Sequence, residues 1–173
     1  MTKVAAAPGI ALVRIDNRLV HGQVLVAWLP ALDAHGILVA DDEAAGNVLA
    51  RSAMSLAIPP GVSFQVVRVQ AAAEMLKPGG KGPQGQRTLV LLRDVRDAVQ
   101  LHDLGVPIPR LNLGNVHFGQ GRRQVAPSVF LDAGEVAALE RLETSGTQVE
   151  FRAVPSEEPT SLAAIKSRFG QPV

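Results

Sequence analysis

The chain has 173 residues, 47% of them hydrophobic and 19% charged, with a formal net charge of +1 at pH 7. This composition excludes a disordered chain, and the length suits one compact domain over residues 1–173. The absence of cysteine excludes disulfides and thiolate metal sites, and no apolar stretch reaches the roughly 20 residues that a membrane-spanning helix needs. The balanced charge and the scarcity of aromatic residues argue against nucleic acid as a partner.

Apolar runs between glycine and proline residues predict seven strands. In chain order they are residues 10–15, 36–40, 62–69, 88–92, 110–113, 125–131 and 148–154. The run at 88–92 is the most apolar, which favours the centre of a sheet. Pro127 favours an edge or terminal position for the sixth strand, and the alternation across 148–154 indicates a half-exposed strand near the sheet edge.

Helical spacing and capping residues predict six helices, five of them between these strands and one after the last strand. In chain order they cover residues 22–30, 42–56, 71–77, 95–104, 133–142 and 160–169. The second helix has an apolar face at three-to-four spacing, which predicts burial against the sheet. That face consists of Ala45, Val48, Leu49, Ser52, Ala53 and Leu56. The glycine-rich segment 78–85 is expected to be a flexible connector, and the Ala-rich start 1–8 is not expected to be a signal peptide.

The alternation of strands and helices predicts the fold class. It is typical of an α/β protein with a single open, doubly wound, mostly parallel seven-stranded sheet and helices on both faces. Ligands of such sheets bind at the carboxyl ends of the strands. The loops after the first, fourth and fifth strands are therefore the candidate sites.

One histidine is placed where a predicted strand passes into a predicted helix. His21 follows two arginines, Arg14 and Arg18, and precedes Gly22. Helix-start N–H groups attract anions, and arginine binds phosphate through two hydrogen bonds. Asp16 can hold either an arginine or one ring nitrogen, leaving the other nitrogen as a nucleophile. The segment predicts a histidine that carries a phosphoryl group; the alternative is a surface histidine beside a surface Arg–Asp pair.

Four segments carry a resemblance to a known family. The first is Arg-Ile-Asp-Asn-Arg-Leu-Val-His-Gly-Gln-Val at 14–24, with Trp28 four residues later. The others are Val-Ala-Asp-Asp at 39–42, Pro-Pro-Gly-Val at 59–62 and Leu-Asn-Leu-Gly-Asn-Val-His-Phe-Gly-Gln-Gly-Arg at 111–122. Together they resemble the IIB components of the mannose/fructose/sorbose branch of the bacterial sugar phosphotransferase system (PTS).

The resemblance implies a phosphotransferase that acts with partners. His21 would accept a phosphoryl group from a phosphohistidine on a IIA protein. It would pass that group to a sugar, such as mannose, fructose, sorbose or a related one, bound by the membrane components IIC and IID. The covalent phosphohistidine would replace any cofactor or metal. The chain would be cytoplasmic and associated peripherally with IIC and IID.

The resemblance also implies the residues of the site. The catalytic residues would be His21 as phosphoryl acceptor, Arg14 and Asp16. The phosphate-binding residues would be Arg14, Arg18, Gly22 and Gln23. A second loop is expected nearby, with His117, Phe118, Gln120 and Arg122 as its candidate residues. Two positions depart from the family's common pattern, because Asn17 stands where a second aspartate is common and Gly119 where a charged residue is frequent.

Two other functions are compatible with the same fold. A regulatory phosphocarrier would use the same chemistry at His21 without a dedicated sugar. A non-catalytic α/β domain that binds a small molecule or nucleotide would carry a glycine fingerprint such as G-x-G-x-x-G after the first strand. That fingerprint is absent from the sequence.

Overall fold

The computed structural model describes residues 9–82 and 85–169. The expectation for residues 1–8 lies outside this range, as do two residues of the 78–85 connector. The described strands are β1 Ile10–Asp16, β2 Gly36–Ala40, β3 Ser63–Val67, β4 Thr88–Leu92, β5 Arg110–Asn115, β6 Arg123–Ala126, β7 Val129–Leu131, β8 Gln148–Phe151 and β9 Thr160–Ser161. Seven of them form the main sheet in the order β3-β2-β4-β1-β5-β8-β9. Only the short pairing of β8 with β9 in this sheet is antiparallel.

Helices cover both faces of the sheet, as the sequence predicts. A π-helix, Val24–Trp28, leads into α1. The α-helices are α1 Leu29–Ala31, α2 Asp42–Ala45, α3 Val48–Ala57, α4 Val69–Leu76, α5 Val95–Asp103, α6 Ala133–Thr144 and α7 Leu162–Phe169. The π-helix, α1 and α2 supply buried side chains to one apolar cluster, and α4 to α7 supply the other. The aliphatic strands are therefore buried from both sides, as parallel sheets require.

The centre of the sheet lies one strand away from the predicted one. All five residues of β4 are buried, as their apolar run indicates. The middle position nevertheless belongs to β1, with β4 on one side and β5 on the other. Because β1 is central, the loop that follows it reaches both neighbouring loops at the carboxyl edge of the sheet.

The predicted sixth strand, 125–131, is wrong as a member of the sheet. It is a hairpin of β6 and β7, with Pro127 and Ser128 between the two strands. Proline cannot donate to a sheet ladder and favours a turn here. The seventh strand of the main sheet is instead the short β9 at the edge. The last predicted helix correspondingly begins at Leu162, after β9.

The predicted helix over 42–56 is two helices, and its apolar face is not in the core. Asn47 accepts a hydrogen bond from the N–H of Ala50 at 3.0 Å and so begins α3 anew. No residue of α3 is buried, and Leu49 and Leu56 are 80% and 89% exposed. The three-to-four spacing is present, but no element within residues 9–82 and 85–169 covers the face that it creates.

Two neighbouring boundaries have a local cause. The Asp42 carboxylate accepts the N–H of Val69 at 2.9 Å, so α4 begins two residues earlier than predicted and β3 ends at Val67. Over the described ranges, every helix is too short or too polar to cross a membrane.

Candidate functional site

The site lies at the carboxyl end of β1, beside β5. The chain leaves β1 towards the π-helix on one face of the sheet, whereas the helix that follows β5 packs on the other face. Two adjacent strands whose connections leave in opposite directions open a crevice between their carboxyl ends, where ligands of such sheets bind. His21 and the loop of His117 both belong to this edge, as predicted.

The backbone between β1 and the π-helix is a tight turn built around Asp16. The N–H of Arg18 donates to Asp16 Oδ1 at 3.0 Å, and the N–H of Leu19 donates to the Asp16 carbonyl at 2.9 Å. Leu19 has a φ of +56°, and its side chain is buried in the apolar cluster, which holds this unfavourable backbone conformation in place. The turn thus presents His21 immediately before the helical segment, where the His21 carbonyl accepts the N–H of Leu25.

Asp16 is the centre of the hydrogen-bond network, although it is fully buried. Its carboxylate accepts hydrogen bonds from Arg14 Nη2 at 2.9 Å, from Arg18 Nε at 3.2 Å and from Arg18 Nη2 at 3.3 Å. It also contacts His21 Nε2 at 2.9 Å. Burial by itself raises the pKa of Asp16, but hydrogen bonds from His21 and Arg18 and the charge of Arg14 outweigh burial and hold the pKa well below its usual range.

The contact with Asp16 distinguishes the two ring nitrogens of His21. An ionised carboxylate only accepts hydrogen bonds, so Asp16 requires a proton on Nε2. In a neutral imidazole the lone pair then resides on Nδ1. The His21 side chain is 15% exposed, so the ring lies at the surface of the crevice and is not buried in the aliphatic interior.

Arg14 is fully buried, and its guanidinium is held on several sides. Nη1 donates to Asn112 Oδ1 at 2.6 Å, and Nη2 donates to Asp16 at 2.9 Å. The guanidinium lies over the ring of Trp28, 4.9 Å from its centroid. A Cβ at Gly114 would approach Arg14 Nη2 to 2.0 Å, so only glycine leaves room for this packing. Arg14 therefore contacts His21 through Asp16, and a direct contact between Arg14 and a phosphoryl group stays a prediction.

The more exposed candidates lie around the same carboxylate. Arg18 has a side chain that is 40% exposed, and its Nη2 donates to Gln23 Oε1 at 3.2 Å. A Cβ at Gly22 would meet no heavy atom within 4 Å. The phosphate-binding roles of Arg18, Gly22 and Gln23 stay predictions, and Arg18 is the more exposed of the two arginines that contact Asp16.

A buried row of polar side chains, not predicted from the sequence, crosses the sheet behind Arg14. Arg14, Asn112 and Glu150 are direct neighbours on β1, β5 and β8, and each is 3% exposed or less. Asn112 Nδ2 donates to Glu150 Oε1 at 3.3 Å, and Arg110 Nη2 donates to the same oxygen at 2.8 Å. Glu150 also makes β8 more buried than its alternating pattern predicts.

Trp28 is a core residue that packs beside this row. Its side chain is 1% exposed, and its Nε1–H donates to the carbonyl of Ala153 at 2.8 Å. The guanidinium of Arg152 lies 5.4 Å from the ring centroid, so arginines from β1 and from the end of β8 both pack on this indole.

The second loop is held against the first by Asn17. The Asn17 amide donates to the carbonyl of Arg93 at 2.8 Å, while its Oδ1 accepts the backbone N–H of His117. An aspartate at this position could accept but not donate, so asparagine suits this pair of contacts. The departure from the family's common aspartate therefore joins the loops after β1, β4 and β5.

The side chains of the second loop differ in their exposure and in their contacts. His117, Phe118 and Gln120 are exposed, and the Phe118 ring packs edge-on against Phe130 at 5.8 Å. Arg122 donates to both carboxylate oxygens of Glu135, at 2.9 and 3.1 Å. Arg122 is thus engaged in a bidentate ion pair, and its predicted part in the site would require breaking that pair. Within the described ranges, no group of three or more histidine, aspartate or glutamate side chains could hold a metal ion.

Comparisons with known proteins bear on this site. A family model described as "PTS system sorbose subfamily IIB component" matches residues 10–170. The chain is 34% identical over 155 residues to the N-acetylgalactosamine-specific phosphotransferase enzyme IIB component 2 of Escherichia coli (strain K12), covering 90% of this chain and 97% of that protein. It is 31% identical over 161 residues to the PTS system mannose-specific EIIAB component of the same organism, covering 92% of this chain and 49% of that protein.

A solved structure agrees with the fold. The IIBSor domain of the sorbose permease from Klebsiella pneumoniae superposes on the chain with a TM-score of 0.83 at 28% identity. The superposition covers 92% of this chain and 97% of that domain.

Proposed function

Since the chain belongs to the sorbose subfamily of IIB components of the sugar phosphotransferase system, we propose that it carries a phosphoryl group on Nδ1 of His21. The donor is a phosphohistidine on a IIA protein, and the acceptor is a hydroxyl of a sugar bound by the membrane components IIC and IID. The observation that carries the proposal is the 2.9 Å contact between His21 Nε2 and the buried carboxylate of Asp16.

The first step transfers the phosphoryl group between two imidazoles. The lone pair on His21 Nδ1 forms a bond to phosphorus as the bond from phosphorus to the donor nitrogen breaks, and the donor recovers its lone pair. Phosphoryl transfer of this kind depends mainly on alignment and on charge stabilisation. No proton has to leave His21, because Nε2 keeps its proton in the hydrogen bond to Asp16.

The second step transfers the group to the sugar. A sugar oxygen forms a bond to phosphorus as the bond to His21 Nδ1 breaks, Nδ1 recovers its lone pair, and the hydroxyl proton passes to water. Between the two steps the imidazole bears a positive charge and the phosphoryl group close to two negative charges. Asp16 stabilises the first of these, and Arg18, the accessible cation of the turn, stabilises the second.

The partners follow from the family rather than from a surface of the chain. The mannose-specific relative is named as an EIIAB component, so a IIA part and a IIB part share that polypeptide, and the present chain spans about half of its length. We propose that the partners of this domain are a IIA phosphocarrier and the membrane components IIC and IID, and that it is located at the cytoplasmic face of the membrane.

The proposal is tested by labelling each histidine variant. Purified protein is incubated with phosphoenolpyruvate, the general PTS proteins and a IIA protein of this family, and the label is located by mass spectrometry. His21→Ala is expected to abolish labelling. His117→Ala tests the rival histidine of the second loop, and His35→Ala, at a 60% exposed side chain, is the matched control. Both are expected to keep full labelling, and labelling of His21→Ala at the wild-type level would reject the proposal.

A further inference from the structure

The buried row behind Arg14 points towards the nucleophile. We propose that Glu150 and Asn112 are positioning residues for phosphoryl transfer, acting on His21 through Arg14 and Asp16. This inference rests on the function proposed above and concerns how the same site is held in its reactive geometry.

The first link is between Glu150 and Asn112. An ionised carboxylate offers only acceptors, so the amide end of Asn112 that faces Glu150 must be its NH₂ group. Nδ2 accordingly donates to Glu150 Oε1 at 3.3 Å and lies 3.4 Å from the carbonyl of Arg152, which also only accepts. These two acceptors on the β8 side turn Oδ1 of Asn112 towards β1.

The second link is between Asn112 and the guanidinium of Arg14. Oδ1 accepts Nη1 of Arg14 at 2.6 Å, and Nη2 of the same group donates to Asp16 Oδ2 at 2.9 Å. A guanidinium is planar and rigid, so the position of Nη1 determines the direction of Nη2. The oxygen that receives Nη2, Oδ2 of Asp16, is also the oxygen that contacts His21 Nε2.

The composition of the row argues against a purely stabilising role. Each of its three members has buried apolar neighbours in its strand: Val13 and Ile15, Leu111 and Leu113, Val149 and Phe151. Buried ion pairs are often no more stabilising than apolar residues of similar volume, because of the cost of removing charges from water. All three positions are nevertheless polar. At one end of the row, Arg14 donates to Asp16, the carboxylate that contacts His21.

The test substitutes Glu150, the residue of the row that is farthest from His21, and measures the phosphorylation rate and the tautomer of His21. Glu150→Gln keeps the shape of the side chain but removes its charge and can donate as well as accept. It therefore weakens one of the two acceptors that orient the Asn112 amide, and the carbonyl of Arg152 remains as the other. We expect the rate of phosphorylation by phospho-IIA to fall about tenfold, the effect of losing one hydrogen bond to a charged group. In ¹⁵N spectra of the imidazole, we expect the single Nε2–H tautomer of the wild type to become a mixture.

A double-mutant cycle separates positioning from general disturbance. Arg14→Lys removes the rigid fork, so Glu150→Gln is expected to change the rate less than twofold in that background. Asn112→Ala removes the middle residue of the row. We expect it to give the same tautomer mixture as Glu150→Gln, and its effect on the rate to be non-additive with Arg14→Lys in the same way. Glu158→Gln, at an exposed carboxylate, is the matched control and is expected to leave the rate within twofold of the wild type.

The outcomes of this experiment distinguish the two proposals. Absence of label on His21 in the wild type would overturn the proposed function itself. Normal labelling of the wild type, with unchanged rate and tautomer in Glu150→Gln and Asn112→Ala, would overturn only the positioning role. The positioning role would also be overturned if Glu150→Gln slowed phosphorylation equally in the wild type and in Arg14→Lys, because the coupling would then not pass through Arg14.

Discussion

Asp16→Asn tests the hydrogen-bond network of the site most broadly, because the buried Asp16 carboxylate accepts hydrogen bonds from five donors. Those donors are Arg14 Nη2, the N–H, Nε and Nη2 of Arg18, and His21 Nε2. Asparagine retains one accepting oxygen and turns an NH₂ group towards the cations, of which Arg14 remains fully buried. Removing one partner of a buried ion pair costs about 3–5 kcal/mol, so we expect the free energy of unfolding to fall by that amount.

The same substitution acts on the reaction. A hydrogen bond to a charged group contributes about 1.5–3 kcal/mol, and losing it at His21 corresponds to a roughly 10- to 150-fold slower phosphoryl transfer. Transfer is measured by rapid quench with phospho-IIA, and unfolding by urea titration at pH 7. Asp33→Asn, at an 84% exposed side chain, is the control and should change neither quantity. Transfer within threefold of the wild type, in a variant as stable as the wild type, would refute the reasoning.

Acid unfolding gives an independent check of Asp16. Because its pKa is lowered in the folded chain, its stabilising contribution is present above about pH 4 and is lost as the pH falls further. The free energy of unfolding of the wild type should therefore decline more steeply below pH 4 than that of Asp16→Asn. Parallel curves for the two proteins would show that the carboxylate is not held by its cationic neighbours.

Three further predictions follow from burial and packing. Gly114→Ala should lower the free energy of unfolding by about 1–3 kcal/mol because its Cβ would displace the Arg14 guanidinium, whereas Gly22→Ala, with open space around it, should change it by less than about 0.5 kcal/mol; urea titration compares the two. Burial raises the pKa of Asp97 to about 6, so the free energy of unfolding should fall by roughly 1–3 kcal/mol as the pH rises from about 4 to 6. Urea titrations at several pH values measure this fall. If Asp97→Asn shows the same fall as the wild type, the prediction is contradicted. Leu49→Gln should change the melting temperature by no more than about 2–4 °C, because Leu49 is 80% exposed; a loss typical of a core leucine would show that α3 is buried after all.

The fold was largely predictable because its strongest signals are local and repeated. Buried parallel strands are continuous apolar runs, and glycine or proline separates them from the helices, so β1, β2 and β4 were placed to within a residue at each end. The hairpin at 123–131 was missed because two short strands around Pro127 form one apolar run in the sequence. Only the antiparallel pairing of β6 with β7 separates them.

The exposed face of α3 shows a limit of periodicity. The spacing of Val48, Leu49 and Leu56 is that of a buried face, and the structure confirms that they share a helix. Periodicity states which residues lie together, but not whether another element covers them. In this chain Asn47 restarts the helix, and the face remains exposed.

Only part of the candidate site could be predicted from the sequence, and there is a physical reason why some of its residues were predicted and others were not. Arg14, Asp16 and His21 are close in sequence, so their chemistry could be interpreted together, and they do share one hydrogen-bond network. Asn112 and Glu150 reach the same network across 98 and more residues, through strand register alone. A signal for them exists, since each is a polar residue between two large apolar residues in a predicted strand.

The central claim is that Asp16 holds the Nε2–H tautomer of His21 and leaves Nδ1 to receive the phosphoryl group. Phosphorus–nitrogen correlation NMR of the phosphorylated, ¹⁵N-histidine-labelled protein tests it most directly, because the two phosphohistidine isomers are distinguished by which ring nitrogen couples to phosphorus. We expect a single species, with the coupling at Nδ1 of His21 and a proton retained on Nε2. Coupling at Nε2, or phosphorus on a residue other than His21, would contradict the account.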